Sequence, residues 1–186
     1  MIEFPKRIDC GDFEMLKPDA TFHLATELFN MVQKNHVYLE PWLGWVDFIK
    51  VPEDEFCIVQ SVAQVNAGKY FICVNKQIHG MVGFVQESKS KQMVEIGYWL
   101  DNAMNGRGIM TRAVDKLTGL AFDVWGANRV EIKAAIENKK SRAIPERLGF
   151  HQEGVLRQYE IVRPGVIQDI AIYSKLKSEW EKGKAK

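Results

Sequence analysis

One stretch in the middle of the chain restricts its fold more than any other. Val94, Ile96, Tyr98 and Leu100 recur at every second position, the period of a strand. Residues 102–108 follow as a loop carrying Gly106 and Gly108. Ile109, Ala113, Leu117, Leu120, Ala121 and Val124 then fall on one helical face, and Gly126 stands where such a helix stops. A second strand places Val130, Ile132 and Ala134 on one side. A strand–helix–strand connection of this length makes the two strands parallel and the crossover right-handed.

The flanks have different periods. A first strand is predicted over residues 13–16. A helix follows, with Asp19 as its N-cap and Phe22, Ala25, Leu28, Phe29 and Val32 on its buried face. Residues 36–52, with Tyr38, Pro41, Trp42, Trp45 and Phe48, read as an irregular aromatic loop. A second helix over residues 53–65 has an acidic first turn and buries Phe56, Val59, Val62 and Ala63. Strands over 69–74 and 77–87 turn at Asn75-Lys76 and pair antiparallel. The run at 81–85 is apolar on both faces, so that strand is central. A short helix ends at Leu148-Gly149. A hairpin over 154–162 and 166–175 then turns at Arg163-Pro164-Gly165, and residues 177–186 form a polar, solvated C-terminal tail. The sum is an α/β (α+β) domain spanning residues 1–186, with a mixed, mostly antiparallel sheet and helices on both faces.

Composition narrows the function. A chain of 186 residues suits one core, and a formal net charge of +1 gives no global pull toward nucleic acid or an anionic membrane. No apolar run reaches the roughly 18 residues of a spanning helix, and residues 1–14 hold no apolar export signal. Cys10, Cys57 and Cys73 are odd in number and far apart, as expected of reduced thiols in a cytoplasmic protein. The histidines at 23, 36, 79 and 151 form no ligand-spaced pair, so no metal is expected.

The loop Asn105-Gly106-Arg107-Gly108-Ile109-Met110 opens a helix. Glycines let a ligand approach the backbone, and the first turn of a helix offers unpaired N–H groups at its positive end. Together they suit a diphosphate, with Arg107 adding a charge-assisted contact. Two other readings stand beside this one. The loop is either a plain tight turn or part of a dinucleotide fold, which would want a third glycine where Thr111 stands.

This strand, loop and helix resemble the acyl-CoA core of GNAT acetyltransferases. The family's loop reads Gln/Arg-x-x-Gly-x-Gly/Ala. Here Asn105 takes the first position, Gly108 the central glycine and Met110 the last, a departure at two of three. The run from Gly108 to Thr111 is nonetheless similar to the RimJ/RimL ribosomal-protein branch. So is the block from Asn138 through Ser141-Arg142-Ala143-Ile144-Pro145 to Leu148-Gly149-Phe150. The resemblance implies acetyl-CoA as co-substrate, a six- to seven-stranded sheet and a parallel pair that splays apart. It implies that amides at Gly106, Arg107, Gly108, Ile109, Met110 and Thr111 hold the diphosphate. It implies that a bulge at Trp99 and Leu100 frees an N–H for the thioester oxygen, and that Asn138 contacts the pantetheine.

An amine attacking a thioester must be neutral, so an α-amine near pKa 8 or a lysine near 10.4 needs a base. A preorganised donor to the developing oxyanion is worth roughly 3 kcal/mol. Many family members protonate the departing thiolate with a tyrosine, and Pro145 occupies that position here. Ser141, one turn earlier, is either the donor to the sulfur or the helix N-cap. Pro145 lacks the N–H for the Ser141 carbonyl, so this helix is expected to start late or bend. The resemblance points to Glu160 as base. It is expected to be buried so that its pKa rises, and the competing reading is a solvated strand carboxylate.

Tyr38, Trp42 and Trp45 are expected to grip the acceptor, or else to pack over the first two helices. The same aromatic loop is an expected homodimer contact. The leading acceptor is the N-terminal α-amine of a protein such as a ribosomal protein. The rivals are a small amine such as a polyamine, aminoglycoside or amino-acid derivative, and a non-catalytic acetyl-CoA-binding regulator. The regulator would gain about 2.7 kcal/mol of stability at a hundredfold excess of ligand over Kd but release no thiol.

Overall fold

In the computed structural model, which describes residues 2–184, the chain begins with strands β1 (Arg7–Asp9) and β2 (Glu14–Leu16). Helices α1 (Phe22–Lys34), α2 (His36–Leu39) and α3 (Pro52–Ala63) follow. Then come β3 (Lys69–Val74), β4 (Gln77–Ser88), β5 (Met93–Leu100), α4 (Ile109–Leu120), β6 (Arg129–Ala135) and α5 (Lys139–Arg147). The hairpin β7 (His151–Arg163) and β8 (Val166–Leu176) and helix α6 (Lys177–Lys184) close the chain. The described residues form one eight-stranded sheet in the order β1-β2-β3-β4-β5-β6-β8-β7, one strand more than the resemblance implied. Every neighbouring pair is antiparallel except β5 and β6.

The alternation of the central strands explains the two cores. Tyr70, Ile72 and Val74 of β3 face the side covered by α4, where Val94, Ile96 and Leu100 of β5 join them. Phe71 and Cys73 face the other side with Trp99, under α1 and α3. Asn75 and Lys76 turn the β3–β4 hairpin with φ of 49° and 66°, a turn whose twist matches the strands.

Several expectations shift by a residue or a turn. Thr21, not Asp19, caps α1, accepting from the Leu24 amide at 3.2 Å. The acidic start of α3 is closed by Asp54, which accepts from the amides of Lys50 and Val51. The buried stripe of α3 is Glu55, Val59 and Val62, whereas Phe56 lies at the core margin against the Phe22 ring. The aromatic loop is partly regular, with α2 and a 3-10 turn at Gly44–Phe48. After Leu120 the crossover helix widens into a π turn, Ala121–Trp125. The extra residue rotates the face, so Phe122 and Trp125 are buried and Val124 is exposed. Residues 177–184 form helix α6, which exposes positions 178, 179 and 181–183 as a solvated segment does but packs Trp180 on Phe122 at 5.9 Å. Residues 185 and 186 of the expected tail lie outside the described residues. α5 starts directly after Asn138 and contains Pro145, so the proline neither delays nor ends it. Among the described residues, no helix is long and apolar enough to cross a membrane.

Candidate active site

The parallel pair β5–β6 holds register only from Met93↔Arg129 to Glu95↔Glu131. Beyond those pairs the strands part. The gap opens into a cavity of about 730 Å³, within the size range of small-molecule sites. Its walls include Ile96 to Leu100 of β5, Lys133 to Ala135 of β6, and Asn138, Ser141 and Ile144.

Pairing with β4 decides which β5 groups face the gap. The Asp101 amide donates to the His79 carbonyl at 2.6 Å, and the register runs unbroken from Gly80↔Leu100 to Phe84↔Ile96. Antiparallel pairs alternate between bonded and non-bonded, so the amides of Leu100 and Tyr98 point away from β4, toward the gap. The bulge expected at Trp99 and Leu100 lies instead in β4, between Phe84 and Gln86. The splay itself leaves the Leu100 amide without a strand partner.

The glycine loop sits at the mouth. Gly106 and Gly108 have φ of 78° and 69°, and a Cβ at either would meet nothing within 4 Å. The glycines therefore serve the backbone conformation, and their outer face is open to a ligand. Gly108 begins α4 with no side-chain cap, so its first-turn amides are available. Ile109 and Met110 bury their side chains and can offer only amides. Arg147 of α5 donates to Thr111 Oγ1 at 3.0 Å, which brings a second cation to this turn beside the exposed Arg107. Arg112 is already committed to Asp12 at 2.6 Å and supports the Arg107 carbonyl at 3.4 Å.

A buried carboxylate anchors the start of the loop. Asp101 accepts from Lys34 Nζ at 2.9 Å, contacts His79 Nδ1 at 3.1 Å and caps the Ala103 amide at 3.2 Å. Burial pushes Asp101 up, but these hydrogen bonds outweigh it and hold the carboxyl below its ordinary range. Asn105 donates to the Tyr38 hydroxyl at 3.0 Å, tying the aromatic loop to the glycine loop.

On the opposite wall, Asn138 caps α5 by accepting from the Ser141 amide at 3.1 Å. Ser141 is therefore not the cap. Its hydroxyl donates to Tyr98 at 3.2 Å. Glu160 lines the cavity but is exposed rather than buried. It directly follows a bulge in β7 held by the Gln158 amide donating to Asp169 at 2.7 Å, and bulges re-aim the residues beside them. At the splay, Lys133 pairs with Glu95 at 2.8 Å, and this bond keeps its ammonium charged against the cost of burial.

Of the expected acceptor aromatics, Tyr38 and Trp42 line the cavity, while Trp45 tilts against Trp99 at 6.4 Å. The loop that carries them packs on the β7–β8 hairpin. Gln168 donates to the Pro41 carbonyl at 2.7 Å, and Gly44 lies so close to the Val162 carbonyl that a Cβ would collide. His36 pairs with Asp47 at 3.1 Å and Glu40 at 3.6 Å and fastens the same loop. The cavity thus gathers Trp99, Leu100, Asn105, Met110, Asn138, Ser141, Tyr38, Trp42 and Glu160. Tyr98, Asp101, Lys133 and Arg147 were missed by sequence reasoning. Only Tyr98 carried a signal, its place among residues pointing the same way as Leu100.

Comparisons with known proteins agree with this geometry. The family model described as an acetyltransferase (GNAT) domain matches residues 21–151. The ribosomal-protein-serine acetyltransferase of Escherichia coli (strain K12) is 28% identical over 153 residues, covering 80% of this chain and 85% of that one. The crystal structure of the microcin C7 self-immunity acetyltransferase MccE, in complex with acetyl-CoA and AMP, is similar at a TM-score of 0.82 and 32% identity. It covers 93% of this chain and 97% of that one. RimL, a ribosomal L7/L12 alpha-N-protein acetyltransferase solved with coenzyme A, matches at a TM-score of 0.83 and 25% identity, covering 93% and 99%. With an open glycine cradle at a helix start beside a splayed strand pair, the chain belongs to the GNAT acetyltransferase family, N-acetyltransferases that use acetyl-CoA as co-substrate.

Proposed function

We propose that this acetyl-CoA-dependent N-acetyltransferase, acting as one domain, modifies the N-terminal α-amine of a protein. A ribosomal protein is the class to which its relatives' names point. One observation carries the choice of acceptor. The cavity is lined by Glu95 and Glu160 but equally by Lys133 and Lys140, so its charges balance. A polyamine or aminoglycoside selects an acidic pocket. A peptide end needs one carboxylate for its amine and apolar surface for the residues behind it, and Tyr38 and Trp42 offer that surface.

In this reading the amides of residues 106–111 hold the diphosphate, with Arg107 adding charge. The gap-facing amides of β5 and the Asn138 side chain align the pantetheine. The Leu100 N–H receives the charge that develops on the thioester oxygen. Glu160 takes a proton from the amine as the C–N bond forms and the C–S bond breaks. The Ser141 hydroxyl donates to the departing sulfur and relays a proton from water, so one proton leaves the nitrogen and one arrives at the thiol.

Mass spectrometry after incubating acetyl-CoA with a free-N-terminal peptide, a polyamine and an aminoglycoside together tests the acceptor. Acetylation of the peptide α-amine is expected, and an acetylated small amine beside an untouched peptide overturns the reading. Glu160→Gln is expected to lower kcat by about a hundredfold. A rate within a few-fold of wild type removes Glu160 from the mechanism.

A further inference from the structure

Pro145 lies inside α5 and has no N–H for the carbonyl four residues back, that of Ser141. Such an orphan carbonyl needs another donor. Tyr98, on β5, donates its phenolic O–H to that carbonyl at 3.1 Å. The same phenolic oxygen accepts from the Ser141 hydroxyl at 3.2 Å. One side chain thus holds both polar ends of a residue 43 positions away in the chain. Burial pushes the phenol up, further than the Ser141 hydrogen bond brings it back, so Tyr98 remains a donor at neutral pH.

We propose that Tyr98 is a positioning residue for acetyl transfer, which with Pro145 fixes the Ser141 hydroxyl against the wall of the cavity. The arrangement leaves the hydroxyl free to act. Its hydrogen rests on the phenolic oxygen, and the phenol keeps its own hydrogen on the carbonyl. When the Ser141 hydrogen turns to a departing thiolate, no buried donor is stranded. A helix without Pro145 would claim the carbonyl for itself, and the phenol would lose its fixed partner.

This inference rests on the proposed role of Ser141, and a double-mutant cycle separates the two. Ser141→Ala is expected to lower kcat by about a hundredfold. Tyr98→Phe is expected to lower it by about tenfold, with KM for acetyl-CoA changed less than about twofold. In the Ser141→Ala background, Tyr98→Phe should change kcat by less than about twofold, because its target is gone. Pro145→Ala should lower kcat in the wild-type background and be equally silent without Ser141. Tyr98→Phe at wild-type kcat, or effects that multiply in the double variant, overturns the positioning role alone. Multiplying effects are also what a merely structural loss would give. Ser141→Ala at wild-type kcat overturns the reading of Ser141 and the role of Tyr98 with it.

Discussion

Helices α1 and α3 on one face of the sheet and α4 on the other treat their starts in opposite ways. Under α1 and α3 the ends are closed by the protein's own groups. Thr21 caps α1 and Asp54 closes the start of α3. The ammonium of Lys17 sits beneath the end of α3, donating to the carbonyls of Val62 and Gln64 at 3.4 and 3.3 Å and to Lys69 at 2.9 Å. Across the sheet, α4 begins at Gly108 with no side-chain cap and with open space outside its glycines. Unpaired first-turn amides cost stability, and a serine or aspartate in the preceding position would recover about 1 kcal/mol. Helices α1 and α3, which contribute nothing to the cavity wall, close their ends. Helix α4, beside the splay, leaves its start uncapped, and in the proposed reading an anion completes it.

Giving α4 the cap its neighbours have should produce the largest effect. Gly108→Asp places a carboxylate over the same amides, in a backbone region that aspartate tolerates better than most residues. Folding stability should change by less than about 1 kcal/mol, since the cap offsets the backbone cost. Coenzyme A binding should fall by more than about a hundredfold, because the diphosphate then meets a like charge where it expects donors. Titration calorimetry with coenzyme A, beside a melting curve, reads both. Undiminished binding would mean that the diphosphate is held elsewhere, and the contrast between the helix starts would lose its functional meaning.

The sequence displays one half of this contrast well. The period of β5, the helix after Gly108 and the strand at Val130 are local patterns, set by which face each residue buries. The glycine loop could be located from them. Relations across the gap follow a different logic. Tyr98 looks like one more alternating residue, and its bond to Ser141 exists only because β5 and β6 part after Glu95↔Glu131. Arg147 reaches Thr111 because α5 lies beside α4, which no spacing within either helix reports. The bulge moved from Trp99 and Leu100 to β4 for a similar reason. A free amide beside a splayed strand needs no bulge of its own. Glu160 reads as buried or exposed only once the β7 bulge is known.

The closed helix α3 has one exception, and it supplies the next prediction. Glu55 is 2% exposed on the core-facing stripe of α3, and among the described residues its Oε1 has no hydrogen-bond partner. Burial, and then the neighbouring Asp54, push its pKa from 4.5 to about 7. Between those values the folded state binds more protons than the unfolded state. The stability this contributes is complete below about pH 4.5 and is lost as pH rises through 7. Glu55→Gln keeps the shape of the protonated form and cannot ionise. At pH 8 it should raise stability by up to about 3 kcal/mol, several degrees in Tm. The gain should shrink toward zero near pH 5. A gain that does not depend on pH would show that Glu55 is ionised without penalty.

The smallest effect compares two caps. Thr21 and Asn138 do the same local job, each accepting an amide of its own helix at 3.2 and 3.1 Å, but only Asn138 lines the cavity. Replacing either by alanine should cost about 1 kcal/mol, or about 2–4 °C in Tm for a chain of this size. Kinetics should then part them. Thr21→Ala should leave kcat/KM unchanged. Asn138→Ala should lower it by about tenfold, because the first turn of α5 carries Ser141 and the same side chain lines the cavity in which the proposed reading lays the pantetheine. Equal kinetics in two equally destabilised variants would reduce Asn138 to a cap and move the pantetheine contact to the β5 amides alone.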